Sequence, residues 1–176
     1  MKRLFVGIPL SFELKQKLKP LLEKLSLPGI NPVSIENLHL TLKFLGEVEE
    51  NKIPEIEKIL EEISLRTPPF RVELRGLGEF PDEENPSVLW AGVEDGVIID
   101  LMKLADQKLD YLRANDHRQE IPHLTLARIK GSADLKLLKQ IFLKNKDLEF
   151  GFWDIDKIHL YEAKLTPNGP IYRSVL

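Results

Sequence analysis

His39-Leu40-Thr41-Leu42 and His123-Leu124-Thr125-Leu126 are the same tetrapeptide, and they stand 84 positions apart in a chain of 176 residues. Four histidines and four threonines scattered through such a chain give roughly 0.1 His-x-Thr triplets by chance. Two copies, each completed by the same leucines, call for another cause. In a β-strand alternate side chains share a face. Read as a strand, each tetrapeptide sends its leucines into a core and presents its histidine and threonine together on the other face, about 7 Å apart.

The surroundings of the two copies match as well. Residues 38–45 and 123–129 read as the strands that carry them. Ahead of the first lies a strand at 3–8, stopped by Pro9. A helix capped by Ser11 follows, with Phe12, Leu14, Leu18, Leu21, Leu22 and Leu25 at helical spacing, and Pro20 is the point where it kinks or ends early. Residues 28–32 read as a turn. After Gly46 and an acidic stretch comes a helix striped by Ile53, Ile56, Ile59, Leu60 and Ile63, then strands at 70–74 and 88–93 around a loop at 81–86. The second half runs helix 97–114, polar loop 115–120, strand 123–129, helix 133–143, and strands 148–153, 158–164 and 171–175. Both halves contain helix, strand, helix, strand, strand. We read residues 1–176 as one domain with an internal duplication, approximately 10–93 and 97–176. Consecutive strands point to an α+β fold with mainly antiparallel sheets in two pseudo-symmetric lobes.

Composition narrows the chemistry. Hydrophobic residues make up 43% of the chain, enough for one core. The net charge of -3 and a pI near 5.9 supply no global positive field for sliding on DNA, although a local basic cleft can hold one nucleic-acid end. Cysteine is absent. That excludes disulfides, thiolate metal sites and a cysteine nucleophile. There is no G-x-G-x-x-G and no Walker pattern, so dinucleotide-fold and P-loop readings fail. The first apolar run is too short for a signal sequence and nothing approaches a membrane span, so a cytoplasmic protein without a membrane role is expected.

Two His-x-Thr faces across a cleft suit one kind of reaction. A neutral imidazole takes a proton from the attacking water or hydroxyl, and a protonated one gives a proton to the leaving oxygen. Threonine hydroxyls donate to the non-bridging oxygens of a phosphorus between them. The chemistry requires no metal, and it fits a monoanionic phosphodiester better than a dianionic monoester. A non-catalytic module that binds nucleotides or RNA ends, and a cyclic phosphodiesterase for a small nucleotide, use the same groups and stay open.

The duplicated motif, the opening Arg3-Leu4-Phe5-Val6-Gly7-Ile8-Pro9, the segment Glu36-Asn37-Leu38-His39-Leu40-Thr41-Leu42-Lys43-Phe44-Leu45-Gly46 and the stretch His123-Leu124-Thr125-Leu126-Ala127-Arg128 resemble the 2H phosphoesterases. Within them the chain is most similar to the RNA 2',3'-cyclic phosphodiesterases, also called 2'-5' RNA ligases. The likeness extends to the segment from Leu160 through Thr166 to Tyr172. It implies a bilobal fold with sheets lining a central cleft and helices outside. It implies opening of a terminal 2',3'-cyclic phosphate to a 2'-phosphate, and a reversible joining activity that forms 2'-5' linkages. On this resemblance His39 donates the proton to O3', His123 activates water, and Thr41 and Thr125 hold the phosphate. A monomer acting on RNA ends or nucleotides, without cofactor or metal, without a membrane and without DNA, is the expectation. Family members often carry an aromatic residue where this chain has Asn31-Pro32-Val33.

Arg128 occupies the place of a family arginine and is a candidate phosphate ligand. Strict alternation puts it opposite His123 and Thr125, so it reaches them only if the strand ends, twists or bulges. Lys43 falls on the His39 face by the same count. Phe5, Phe44, Trp90 and Tyr172 are candidates to stack on a base. His159 and His117 lack the companion threonine and read as structural or exposed.

Overall fold

The computed structural model describes residues 1–94, 96–112, 121–167 and 169–175. The loop read at 115–120, with His117, and the end of the helix read to residue 114 fall outside them. The described elements are β1 (Lys2–Pro9), α1 (Phe12–Lys24), β2 (Ile30–Pro32), β3 (His39–Val48), α2 (Ile53–Arg66), β4 (Phe70–Phe80), β5 (Val88–Glu94), α3 (Gly96–Leu109), β6 (His123–Ile129), α4 (Leu135–Asn145), β7 (Glu149–Ile155), β8 (His159–Thr166) and β9 (Gly169–Ser174).

Local chemistry accounts for the starts of α1 and α4. The Ser11 hydroxyl accepts from the Leu14 amide at 3.3 Å, and the Asp134 carboxylate accepts from the Leu137 amide at 3.0 Å at the start of α4. Pro20 does not end α1, which runs on to Lys24. Three strands depart from the sequence reading. The turn at 28–32 contains β2, which pairs with β6 through Ile30↔Ile129 and Pro32↔Ala127; three residues beside Pro28-Gly29 are too few to show a period of two. β3 continues through Gly46 (φ 69°) and β4 through Gly76 (φ 71°). Both glycines sit beside register shifts, where an inserted residue breaks the alternation that marks a strand in sequence.

All strand pairs are antiparallel, in the order β7-β4-β5-β6-β3-β1-β8-β9 with β2 beside β6. Two half-sheets, β7-β4-β5-β6 and β3-β1-β8-β9, meet at the pair Leu40↔Leu124. The half-sheets do not follow the sequence repeat. β4 and β5, from the first half of the chain, pair with β6 and β7, and β8 and β9 return to β1. The helices interlock in the same way: α1 packs on β7 and α3 on β3. One continuous core results. It takes Leu4, Val6 and Ile8 from β1, Leu40 and Leu42 from β3, Leu124 and Leu126 from β6, and the apolar stripes of all four helices. No helix among the described residues is long and apolar enough to cross a membrane.

Leu40 and Leu124 are completely buried where the half-sheets join. Truncating either to alanine removes core packing from both, so Leu124→Ala is expected to cost about 2–5 kcal/mol. Urea denaturation reads this as a lower midpoint at unchanged slope. A midpoint within error of wild type would show that the seam is not a packed part of the core.

Candidate active site

The leucines decide where the histidines go. Leu40, Leu42, Leu124 and Leu126 are at most 5% exposed, beneath the helices. His39, Thr41, His123 and Thr125 therefore stand on the open face. One step out from Leu40↔Leu124, the antiparallel register sets His39 opposite Thr125 and Thr41 opposite His123. The two motifs so form a four-cornered group across the seam, with like residues on the diagonals.

Each imidazole is held by the backbone two residues before it. His39 Nδ1 lies 2.6 Å from the Asn37 carbonyl, and His123 Nδ1 lies 2.7 Å from the Ile121 carbonyl. A carbonyl only accepts, so Nδ1 carries the hydrogen in both rings and Nε2 is left for chemistry. Nε2 of His39 is 3.0 Å from Thr41 Oγ1. Asn37 is itself tied down, since its side-chain amide donates to the Pro170 carbonyl on β9 at 2.7 Å. Burial pushes the His39 pKa below its ordinary value; the Asn37 hydrogen bond opposes this and the charge of His123 adds to it. The two imidazoles thus feel each other.

Both motif strands bulge immediately after the threonine. On β3, Thr41 pairs with Gly7 and Lys43 with Val6, so Leu42 is the inserted residue. On β6, Thr125 pairs with Trp90 and Ala127 with Leu89, so Leu126 is inserted. Each bulge keeps two successive residues on or toward the helix side and inverts the alternation beyond it. Arg128 consequently lies on the face of His123 and Thr125, exposed between buried Ala127 and Ile129. Lys43 is a correction. It turns from the His39 face to the helix side, where it pairs with Asp106 of α3, and Phe44 takes the open face in its stead.

The four aromatic candidates flank this group, with three residues that the sequence reading did not assign to it. Phe5 is 2% exposed and underlies His39 at a ring-centroid distance of 4.7 Å. It also meets Phe44 at 5.9 Å, Tyr161 at 5.1 Å and Tyr172 at 5.0 Å. Tyr172 stands edge-on to His39 at 5.0 Å, and Phe80 stands edge-on to His123 at 4.9 Å. Trp90 lies against Phe80 and His123, and its indole fills the space that a Cβ on Gly78 would occupy. Phe80, Tyr161 and Asn37 were missed as site residues. Phe80 lies beyond the expected end of its strand; Tyr161 does carry a signal, in its period-two spacing from His159. His159 contacts the Ser174 hydroxyl at 3.3 Å and stays apart from the seam. Among the described residues no three His, Asp or Glu side chains converge as metal ligands do. A cavity of about 290 Å³ between α4 and the connection from β4 to β5 contains none of these groups.

The model of one family, the LigT-like phosphoesterases, matches residues 8–90 and 98–172, which include both motifs. The chain belongs to that family. A curated relative from Methanocaldococcus jannaschii, an RNA 2',3'-cyclic phosphodiesterase, is 37% identical over 173 residues, covering 98% of each chain. The crystal structure of a protein from Thermus thermophilus superposes with a TM-score of 0.83 at 30% identity, covering 99% of this chain and 95% of that one. Escherichia coli LigT complexed with 3'-AMP gives 0.71 at 25% identity, again over 99% and 95%. The resemblance to 2H phosphoesterases and the α+β antiparallel architecture read from sequence are those of this LigT-like phosphoesterase.

His39 also makes the stability of this phosphoesterase depend on pH. Its folded pKa lies below the unfolded value of about 6.5, so the unfolded chain binds more protons as pH falls below that value. The stability contribution is present above about pH 6.5 and is lost as pH drops toward the folded pKa. Urea midpoints between pH 7.5 and 5 are expected to fall less steeply in His39→Gln than in wild type. Parallel profiles would contradict the assignment.

Proposed function

We propose that this protein hydrolyses the 2',3'-cyclic phosphate at an RNA end to a 2'-phosphate by acid-base catalysis between His39 and His123. The observation that carries the reading is the register at Leu40↔Leu124, which turns two histidines and two threonines onto one face around a pseudo-twofold axis. A phosphorus centred between them has an imidazole on either side, as in-line displacement requires.

His123 Nε2 takes a proton from the attacking water. His39 Nε2 gives its proton to O3' as the P–O3' bond breaks, which leaves the phosphate on O2'. Thr41, Thr125 and Arg128 bind the non-bridging oxygens, where charge concentrates in the transition state. The lowered pKa of His39 belongs to the free protein. A phosphodiester anion beside the ring favours its charged form and supplies the protonated acid that the step needs. With a 5'-hydroxyl in place of the attacking water, the same groups in the same roles break the P–O3' bond and join that hydroxyl to the phosphorus as a 2'-5' linkage. The reverse step, in which O3' attacks and the 5'-oxygen leaves, exchanges the roles of the histidines. DNA lacks the 2'-oxygen from which the cyclic phosphate is built, so the substrate class is RNA. Both histidines come from one chain, so a monomer carries a whole site.

The first experiment incubates a short RNA ending in a 2',3'-cyclic phosphate with the protein in EDTA and separates 2'- from 3'-phosphate products. Wild type is expected to yield the 2'-phosphate, with His39→Ala and His123→Ala each slower by about 10²–10⁴-fold. Product lost on chelation and restored by zinc would defeat the metal-independent mechanism. Tight binding without any product would favour a binding module. The pH profile of kcat/KM is expected to be bell-shaped, its two limbs belonging to the coupled histidine pair. Thr41→Val and Thr125→Val are expected to lower kcat by about 10²-fold each.

A further inference from the structure

One cationic side chain on the open face has no part in that chemistry. Arg3 lies two residues before Phe5 on β1 and shares its face, about 7 Å farther along the strand from the histidines. Continuing the β1–β8 register by one residue sets Arg3 beside Ala163, which pairs with Tyr172 of β9. Arg3 and Tyr172 therefore occupy one row across three strands. Tyr172 leans from that row toward the seam, with its ring 5.0 Å from His39. Its hydroxyl stands in the field of both Arg3 and Arg128. Burial nevertheless raises the phenol pKa, so the hydroxyl keeps its proton at neutral pH and can donate it in a hydrogen bond. Both arginines are exposed, and among the described residues neither closes an ion pair, although Glu47 stands opposite Arg3 on β3.

We propose that Arg3 and the Tyr172 hydroxyl form a second anion subsite, which binds the 5'-phosphodiester of the terminal nucleotide and selects the end of an RNA strand over a free nucleoside 2',3'-cyclic phosphate. The proposal rests on the phosphodiesterase reading above. Arg128, on the motif strand itself, serves the reacting phosphate. Arg3 lies one row farther out, linked to His39 through Tyr172, where the next phosphate of a strand follows. A guanidinium fork and a phenol are a donor set matched to phosphate oxygens. Such contacts set the register of a nucleic acid without reading its bases.

Two pairs of probes test this. Turnover compares a dinucleotide ending in a 2',3'-cyclic phosphate with the corresponding nucleoside 2',3'-cyclic phosphate. Calorimetry compares adenosine 2',5'-bisphosphate with adenosine 2'-monophosphate and needs no turnover. In wild type the additional phosphate is expected to raise kcat/KM and affinity by about tenfold. Arg3→Gln brings both ratios close to one, and Arg3→Lys, which keeps the charge without the fork, recovers part of them. A ratio near one in wild type, or a ratio unchanged in Arg3→Gln, overturns the subsite. A wild type that prefers the bisphosphate yet hydrolyses neither substrate supports the subsite and overturns the phosphodiesterase reading instead.

Discussion

The antiparallel pairing of Leu40 with Leu124 governs the rest of the molecule, because it fixes the parity of both motif strands at once. A slip of one residue on either strand would turn a histidine and a threonine into the core and two leucines into water. Exposing each leucine costs about 1.5–3 kcal/mol, and each unpaired polar group in the core costs more than about 1 kcal/mol. The register is thus held by the core beneath it. The open face inherits its geometry from leucines that take no part in the chemistry.

The two bulges show how a duplicated element acquires different ends. Leu42 and Leu126 are inserted at matching places and keep their side chains in the core, and each inverts the residues that follow. The matching positions beyond them are Phe44 and Arg128. One half of the site thereby gains an aromatic wall and the other a cation. His39 rests on Phe5 with two tyrosines nearby, and His123 lies against Phe80 and Trp90. A symmetric pair of imidazoles stands in unlike surroundings, which is what separate roles for an acid and a base demand.

Electrostatics follows from the same arrangement. The low-polarity flank of His39 and the nearby His123 both oppose a charge on its ring. Two neighbouring imidazoles resist charging together. An anion placed between them reverses the balance. Arg3 and Arg128 stand exposed at the margin of this group.

Much of this was legible in the chain. Two copies of His-Leu-Thr-Leu, the alternation of their leucines and the order of elements around them determined the α+β class, the duplicated motif and the four polar residues on one face, since local periodicity is set by backbone geometry alone. The positions of Arg128 and Lys43 were not legible, because a bulge becomes visible only when a strand is counted against its partner. Nor was the exchange of β4, β5, β8 and β9 between the two halves, or the meeting of Asn37 with Pro170, since these depend on which distant segments pair. The sequence by itself determined which side chains point the same way along each strand. Only the tertiary structure decided which strands lie side by side, because pairing is selected by the burial of the whole core and not by any one segment.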